Sequence, residues 1–70
     1  MNTTRKEIFT ALAEMSERYP DWRFGQLVAN VSFWAKGPTP EAIWDVEDQQ
    51  FLETMKRHLE KQRPSAAGSV

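Results

Sequence analysis

Residues 24–35, FGQLVANVSFWA, form the longest stretch of the 70-residue chain without a charged side chain. Apolar residues recur in it at the three- and four-residue intervals of a helix face. That main face comprises Phe24, Leu27, Val28, Val31 and Ala35, with Trp34 at its edge. We therefore predict a buried helix that is capped by Asp21 and ends at Gly37, where a glycine precedes a proline.

A second apolar stripe runs along the same helix, about 140° around from the main face at 100° per residue. Its members are Trp22, Gly25, Ala29 and Phe33. A helix that is apolar on two sides is either enclosed within its own domain or shared with another chain. Because Gly25 and Ala29 are small enough for a second backbone to come close, we predict that two copies pair here. In the alternative, Trp44 and residues 36–45 fold back over the stripe and make it part of a single core.

Three polar residues of this helix, Arg23, Gln26 and Asn30, also share one face. Such a row can hydrogen-bond to carbonyl or carboxylate oxygens of the same chain, for example around Trp44 and Asp45. It can equally serve to recognise a partner. Both interpretations remain open from the sequence.

The residues before this helix predict another helix over residues 4–18. Thr4 and Glu7 have the spacing of a capping box, in which two side chains satisfy backbone amides of the first turn. The apolar stripe of this first helix consists of Ile8, Leu12, Met15 and Tyr19. Pro20 ends the helix, because the residue before a proline disfavours the helical conformation.

A third helix is predicted over residues 46–62, after a short helical turn at residues 40–44. Its apolar face consists of Phe51, Leu52, Met55 and Leu59. Glu47 and Asp48 lie near its start, where the helix dipole favours negative charge. Neighbouring side chains on a helix point about 100° apart, so we do not expect these two acids to share a metal ion.

These segments predict an all-α fold, a compact three-helix domain over residues 1–63 with an extra short helical turn and the second helix in the centre. Residues 64–70, PSAAGSV, are small and polar and predict a flexible tail. No stretch has the ~20 apolar residues of a membrane span or the apolar run of a signal peptide. We therefore expect a cytoplasmic protein without membrane contact.

The composition excludes several kinds of site. With no Cys and one His, the chain has neither disulfides nor the ligands of a thiolate or imidazole metal site. It also lacks a paired nucleophile and base and a glycine-rich phosphate loop. His58 is expected to be exposed or at the rim of the core, not to act as a base. We predict no enzyme activity, no cofactor, and no catalytic or metal-binding residue.

Basic residues gather near the end of the third helix, at Lys56, Arg57, His58, Lys61 and Arg63. The helix dipole favours cations at this end, so a solvated helix terminus accounts for them. A patch for phosphate or RNA is the alternative. Since 9 basic and 10 acidic residues give a net charge of -1, we do not expect nucleic acid to be the partner.

Tryptophan is unusually frequent for so short a chain, with three residues in 70, and its frequency is the most informative feature of the composition. Tryptophan fills small cores and is also enriched at interaction hot spots. We expect two of the three to fill the core. Trp22, which lies off the main face of its helix, is the exception and is assigned to the interaction surface.

Residues 18–30, RYPDWRFGQLVAN, resemble a signature, RYPD-x-R-x-GQL-x-x-N, found in short uncharacterised proteins of bacteria and their phages. Those proteins often continue to an acidic ED pair before an apolar helix, as Glu47 and Asp48 do here. The resemblance covers about a third of the chain. It implies a compact helical fold and supplies no catalytic residue.

Taken together, these features predict a small, non-enzymatic protein-interaction module. It forms a homodimer through the second helix or uses that helix to bind a partner protein. The alternative, from a different functional class, is a nucleic-acid-associated regulator that uses the basic end of the third helix.

Overall fold

The computed structural model describes residues 2–61, which form four helices and no strand. They are α1 (Thr3–Arg18), α2 (Phe24–Lys36), α3 (Ala42–Asp45) and α4 (Asp48–Lys61). The predicted all-α fold of three long helices and one short helical turn is confirmed. The predicted tail, residues 64–70, and the end of the domain at residue 63 lie outside the described residues.

Helix α1 begins earlier than the capping box predicts. Asn2 is the N-cap, and its side-chain oxygen accepts a hydrogen bond from the backbone N–H of Arg5 at 2.8 Å. Thr4 therefore lies inside the helix, and the predicted capping role of Thr4 and Glu7 is wrong. Asparagine is at least as good an N-cap as threonine, which explains why the helix starts at the first of these adjacent polar residues.

The start of α2 also differs from the prediction. Arg23, in an extended conformation, is the N-cap, and its side chain makes no capping hydrogen bond. The turn before it is closed by the backbone N–H of Trp22, which donates to the carbonyl of Tyr19 at 3.1 Å. Asp21 lies within this turn, two residues before the N-cap, so its predicted capping role is wrong.

The end of α2 is as predicted. Gly37 is the C-cap, and its backbone N–H donates to the carbonyl of Phe33 at 2.9 Å. Its φ of 134° lies in a region that glycine adopts readily and other residues rarely do. The chain can therefore leave the helix sharply and continue into α3.

The core is formed by one side of each long helix. Its buried members are Ile8, Ala11, Leu12 and Met15 of α1, Leu27 and Val31 of α2, and Phe51, Leu52, Met55 and Leu59 of α4. The predicted apolar face of the third helix is thus confirmed in full. Phe24, by contrast, is 60% exposed, so its predicted place in the core is wrong. It is the first residue of α2, and α1 makes too little contact with α2 to cover it.

Helix α4, not α2, lies between the other two long helices. It packs extensively on α1 and also on α2, whereas α1 and α2 contact each other only slightly. Two exposed ion pairs join α1 to α4, from Arg5 to Asp48 at 2.6 Å and from Lys56 to Glu7 at 3.1 Å. Exposed pairs of this kind contribute at most about 1 kcal/mol each, so apolar packing holds the helices together.

The length and polarity of the helices also decide whether any of them could cross a membrane. Among residues 2–61, no helix combines the length and the apolar character that crossing a bilayer requires.

We expect the substitution Leu27→Ala to lower the free energy of unfolding by about 2–5 kcal/mol, because Leu27 is only 2% exposed and its removal leaves a cavity. Urea or thermal unfolding followed by circular dichroism measures this loss. Phe9→Ala is the control, since Phe9 is exposed on α1. If both variants lost the same stability, Leu27 would not be part of the core.

Candidate functional site

The residues of the predicted interaction stripe have different environments. Gly25 is exposed, while Trp22, Ala29 and Phe33 are half-buried, and Trp22 packs against the core. A Cβ atom added at Gly25 would meet no atom outside its own helix backbone and chain neighbours within 4 Å. Helix α3 packs on α2, but Trp44 is 69% exposed, so its indole ring is not a buried cover for the stripe.

The predicted polar row lies at the surface. Arg23 and Gln26 are exposed and Asn30 is half-buried. Among residues 2–61, the side-chain hydrogen bonds involve none of these three residues. A tie from the row to the segment around Trp44 and Asp45 is therefore not present in the described part of the chain.

Four rings from separate parts of the chain meet at one end of the molecule, and we call them the aromatic cluster. They are Tyr19, Trp22, Trp34 and His58. Tyr19 stacks on Trp22 with ring centroids 4.1 Å apart, and Trp34 stacks on His58 with centroids 4.3 Å apart. The two stacks touch, since Trp22 and Trp34 lie 6.2 Å apart and Tyr19 and His58 lie 5.7 Å apart.

Local structure explains how these rings meet. Tyr19 and Trp22 are the two ends of the turn after α1, and closure of that turn places their rings together. Trp34 lies in the last turns of α2, and His58 lies in the last turn of α4. The aromatic cluster therefore connects the ends of α1, α2 and α4.

A hydrogen bond also joins two residues of the aromatic cluster, Tyr19 and His58. The Tyr19 hydroxyl is bonded to Nε2 of His58. A neutral imidazole with its proton on Nδ1 accepts this bond at Nε2. Burial lowers the pKa of His58 below its ordinary 6.5, and the positive charges of Lys61 and Arg18 lower it further. The environment thus favours the neutral form of the His58 imidazole, which is the form that can accept the hydrogen bond from Tyr19.

A pocket of about 330 Å³ adjoins the cluster. It is lined by Trp34, Thr54, Arg57, His58 and Lys61. The Thr54 hydroxyl donates to the carbonyl of Gln50, and the Gln50 amide donates to the carbonyl of Ala35, both at 2.8 Å. The bond from Gln50 to Ala35 joins α4 to the last turn of α2, whereas the bond from Thr54 to Gln50 lies within α4.

Two of the cations in this pocket have no charged partner in the described part of the chain. Arg57 and Lys61 form no ion pair within residues 2–61. The charge of Arg18 also acts on His58. Its Nη1 atom is buried and has no hydrogen-bond partner among the residues described. This end of the molecule therefore combines aromatic rings with positive charge.

A metal site is not evident in residues 2–61, where no three His, Asp or Glu side chains lie close enough together to hold an ion. Comparisons of the chain with protein families, with curated proteins and with solved structures found no match. The resemblance of residues 18–30 to the short bacterial and phage proteins therefore stays a prediction.

The aromatic cluster is the feature that sequence reasoning missed. His58 was predicted at the surface or the rim of the core, and it is half-buried at that rim. The expectation that two tryptophans fill the core is wrong, because Trp22 is half-buried and Trp34 and Trp44 are exposed. The sequence does contain one sign of the position of His58. It is next to Leu59 and four residues after Thr54, so it lies at the edge of the apolar face of α4.

We expect the protein to lose stability as the pH falls from about 8 to about 5.5, a range that brackets the ordinary histidine pKa. The folded state lowers the pKa of His58, so the unfolded chain takes up this proton more readily than the folded protein does. The stability that comes from keeping His58 neutral is fully present above its ordinary pKa of 6.5. It is lost as the pH falls below 6.5 towards the lowered pKa of the folded state. Thermal melts across this range measure the effect.

The matched control is His58→Gln, because His58 is the only histidine in the chain. Its melting temperature is expected to vary less over the same range. If parent and variant showed the same dependence on pH, burial of His58 beside Lys61 and Arg18 would not be its source.

Proposed function

We propose that this chain is a small protein-interaction module that pairs with a second copy of itself through α2. The observation that supports the proposal is the exposure of the first turn of this helix. All four residues from Arg23 to Gln26 are exposed, and Phe24 among them is a large apolar side chain in water. Exposed apolar groups of this kind, next to others, are typical of interaction surfaces.

The short helix α3 carries exposed apolar side chains of its own. Ile43 and Trp44 of α3 are exposed, and α3 packs on α2. Of the five large apolar side chains exposed in residues 2–61, three are therefore on the first turn of α2 or on α3. Tryptophan and phenylalanine are residues that bury much area in a contact at low entropic cost.

Gly25 is the centre of the proposed contact. Nothing in the described fold requires a glycine at this position, because its φ is not positive and the space beside it is empty. A second helix can use that space to approach the backbone closely. In a two-fold arrangement, Gly25 and Ala29 of each copy face each other, with Trp22 and Phe33 packing at the sides.

The test is sedimentation equilibrium of the parent and of Gly25→Leu. Gly25 is exposed and a side chain there has room, so we expect the variant to fold while its leucine blocks the close approach of two helices. The dissociation constant of the dimer should rise at least about tenfold. Circular dichroism verifies that the variant keeps its helix content.

Ala29→Glu is a second variant, which places two carboxylates against each other at the two-fold axis and should also yield a monomer. Because Ala29 is half-buried, circular dichroism verifies that this variant keeps its helix content. Its matched control is Ala13→Glu, the same change at an exposed position of α1. A parent that is monomeric at micromolar concentrations would refute the proposal. So would a dimer that Gly25→Leu and Ala29→Glu weaken no more than Ala13→Glu does.

A further inference from the structure

The pocket beside the aromatic cluster is lined by other residues than those of the proposed dimer contact. Trp34 follows Gly25 by nine residues, which places the two about 180° apart around α2 at 100° per residue. Trp22 of the dimer contact nevertheless belongs to the aromatic cluster, with its ring centroid 6.2 Å from that of Trp34, so the two sites are neighbours. The pocket has a polar and charged lining of its own, and its chemistry follows from that lining.

Trp34 gives this pocket an aromatic platform that is held in place. One face of its indole is stacked on His58, and the tilted ring of Trp22 lies 6.2 Å away, yet 46% of the residue is exposed, so part of the indole remains open to a ligand. The ring is backed by His58, which is itself bonded to Tyr19. A fixed and partly exposed indole is a surface on which a planar ring can stack at little entropic cost.

Two cations stand beside this platform. Arg57 and Lys61 lie one turn apart on α4, and neither has an ion-pair partner within residues 2–61. Two acids also lie near these cations on α4: Glu53, which accepts a hydrogen bond from Gln49 at 3.0 Å, is four residues before Arg57, and Glu60 directly precedes Lys61. The C-terminal end of the helix dipole opposes an anion here, but its half charge is smaller than the two full charges of the side chains.

We propose that this pocket binds a single nucleotide, with its base stacked on Trp34 and its phosphate held between Arg57 and Lys61. A guanidinium and an ammonium group one helical turn apart suit the oxygens of one phosphate. The volume of about 330 Å³ is at the lower end for small-molecule sites and fits one small ligand. The net charge of -1 and the presence of a single platform favour one nucleotide over a long nucleic acid strand.

The experiment is a titration of the ¹⁵N-labelled full chain with AMP, followed by NMR. We expect saturable shifts of the Trp34 indole N–H, which the variant Trp34→Phe identifies by its loss. Arg57→Gln and Lys61→Gln should each weaken AMP binding about tenfold or more. The matched control is Lys56→Gln, which removes the same charge from another side of α4, where Lys56 is paired with Glu7.

Further ligands measure the contributions of the base and of the phosphate separately. Adenosine and inorganic phosphate should each bind more weakly than AMP, because each engages only half of the site. A single-stranded oligothymidylate identifies the source of the ligand. Binding no tighter than that of AMP supports a free nucleotide, and tighter binding with a steep dependence on salt would overturn the proposal in favour of a nucleic acid strand.

Three further results would overturn the proposal. The first is the absence of saturable shifts at millimolar AMP. The second is an equal loss of binding in Lys56→Gln, which would mean that only the overall charge matters. The third is binding of inorganic phosphate as tight as that of AMP, which would mean that Trp34 takes no part.

Discussion

The packing of the apolar face of α4 is the interaction on which the other parts of this fold depend. Phe51, Leu52, Met55 and Leu59 are all buried, and they contact a core to which α1 and α2 both contribute. Because α1 and α2 scarcely touch each other, α1 is held mainly by α4, while α2 packs on both α4 and the short helix α3. A chain of this length buries a modest share of its surface, so the loss of one such helix would leave no second core to sustain the fold.

The same helix also organises the candidate site. Thr54 and His58 lie at the border of its apolar face, and Arg57 and Lys61 lie just beyond that border, towards α2. Once the core sets the rotation of α4, His58 is placed against Trp34 and Tyr19. Thr54, Arg57 and Lys61 then line the pocket together with Trp34. The lowered pKa of His58 has the same origin, since packing of α4 buries its imidazole and brings it near Arg18. The positions of the aromatic rings and of the charges are thus consequences of one packed interface.

The sequence was sufficient for those features that local periodicity determines. The apolar face of the third helix, the burial of Leu27 and Val31, and the end of α2 at Gly37 are confirmed because each depends on spacing or on the conformational freedom of one residue. The N-caps were not predictable in this way, since Asn2, Thr3 and Thr4 compete over three adjacent positions. Burial of the aromatic residues depends on which helices contact one another. The aromatic cluster joins Tyr19 to His58, 39 residues away, and no local pattern encodes that contact.

Native-state hydrogen exchange tests most directly whether α4 organises the fold. The amides of Met15 in α1 and Met55 in α4 should exchange only through global unfolding, with opening free energies equal to the stability measured by urea. The amide of Val46, which caps α3 by a bond to Ala42, should exchange through a smaller opening. If Val31 of α2 remained protected after the amides of α4 had exchanged, α2 would be the organising helix and the central role of α4 would be contradicted.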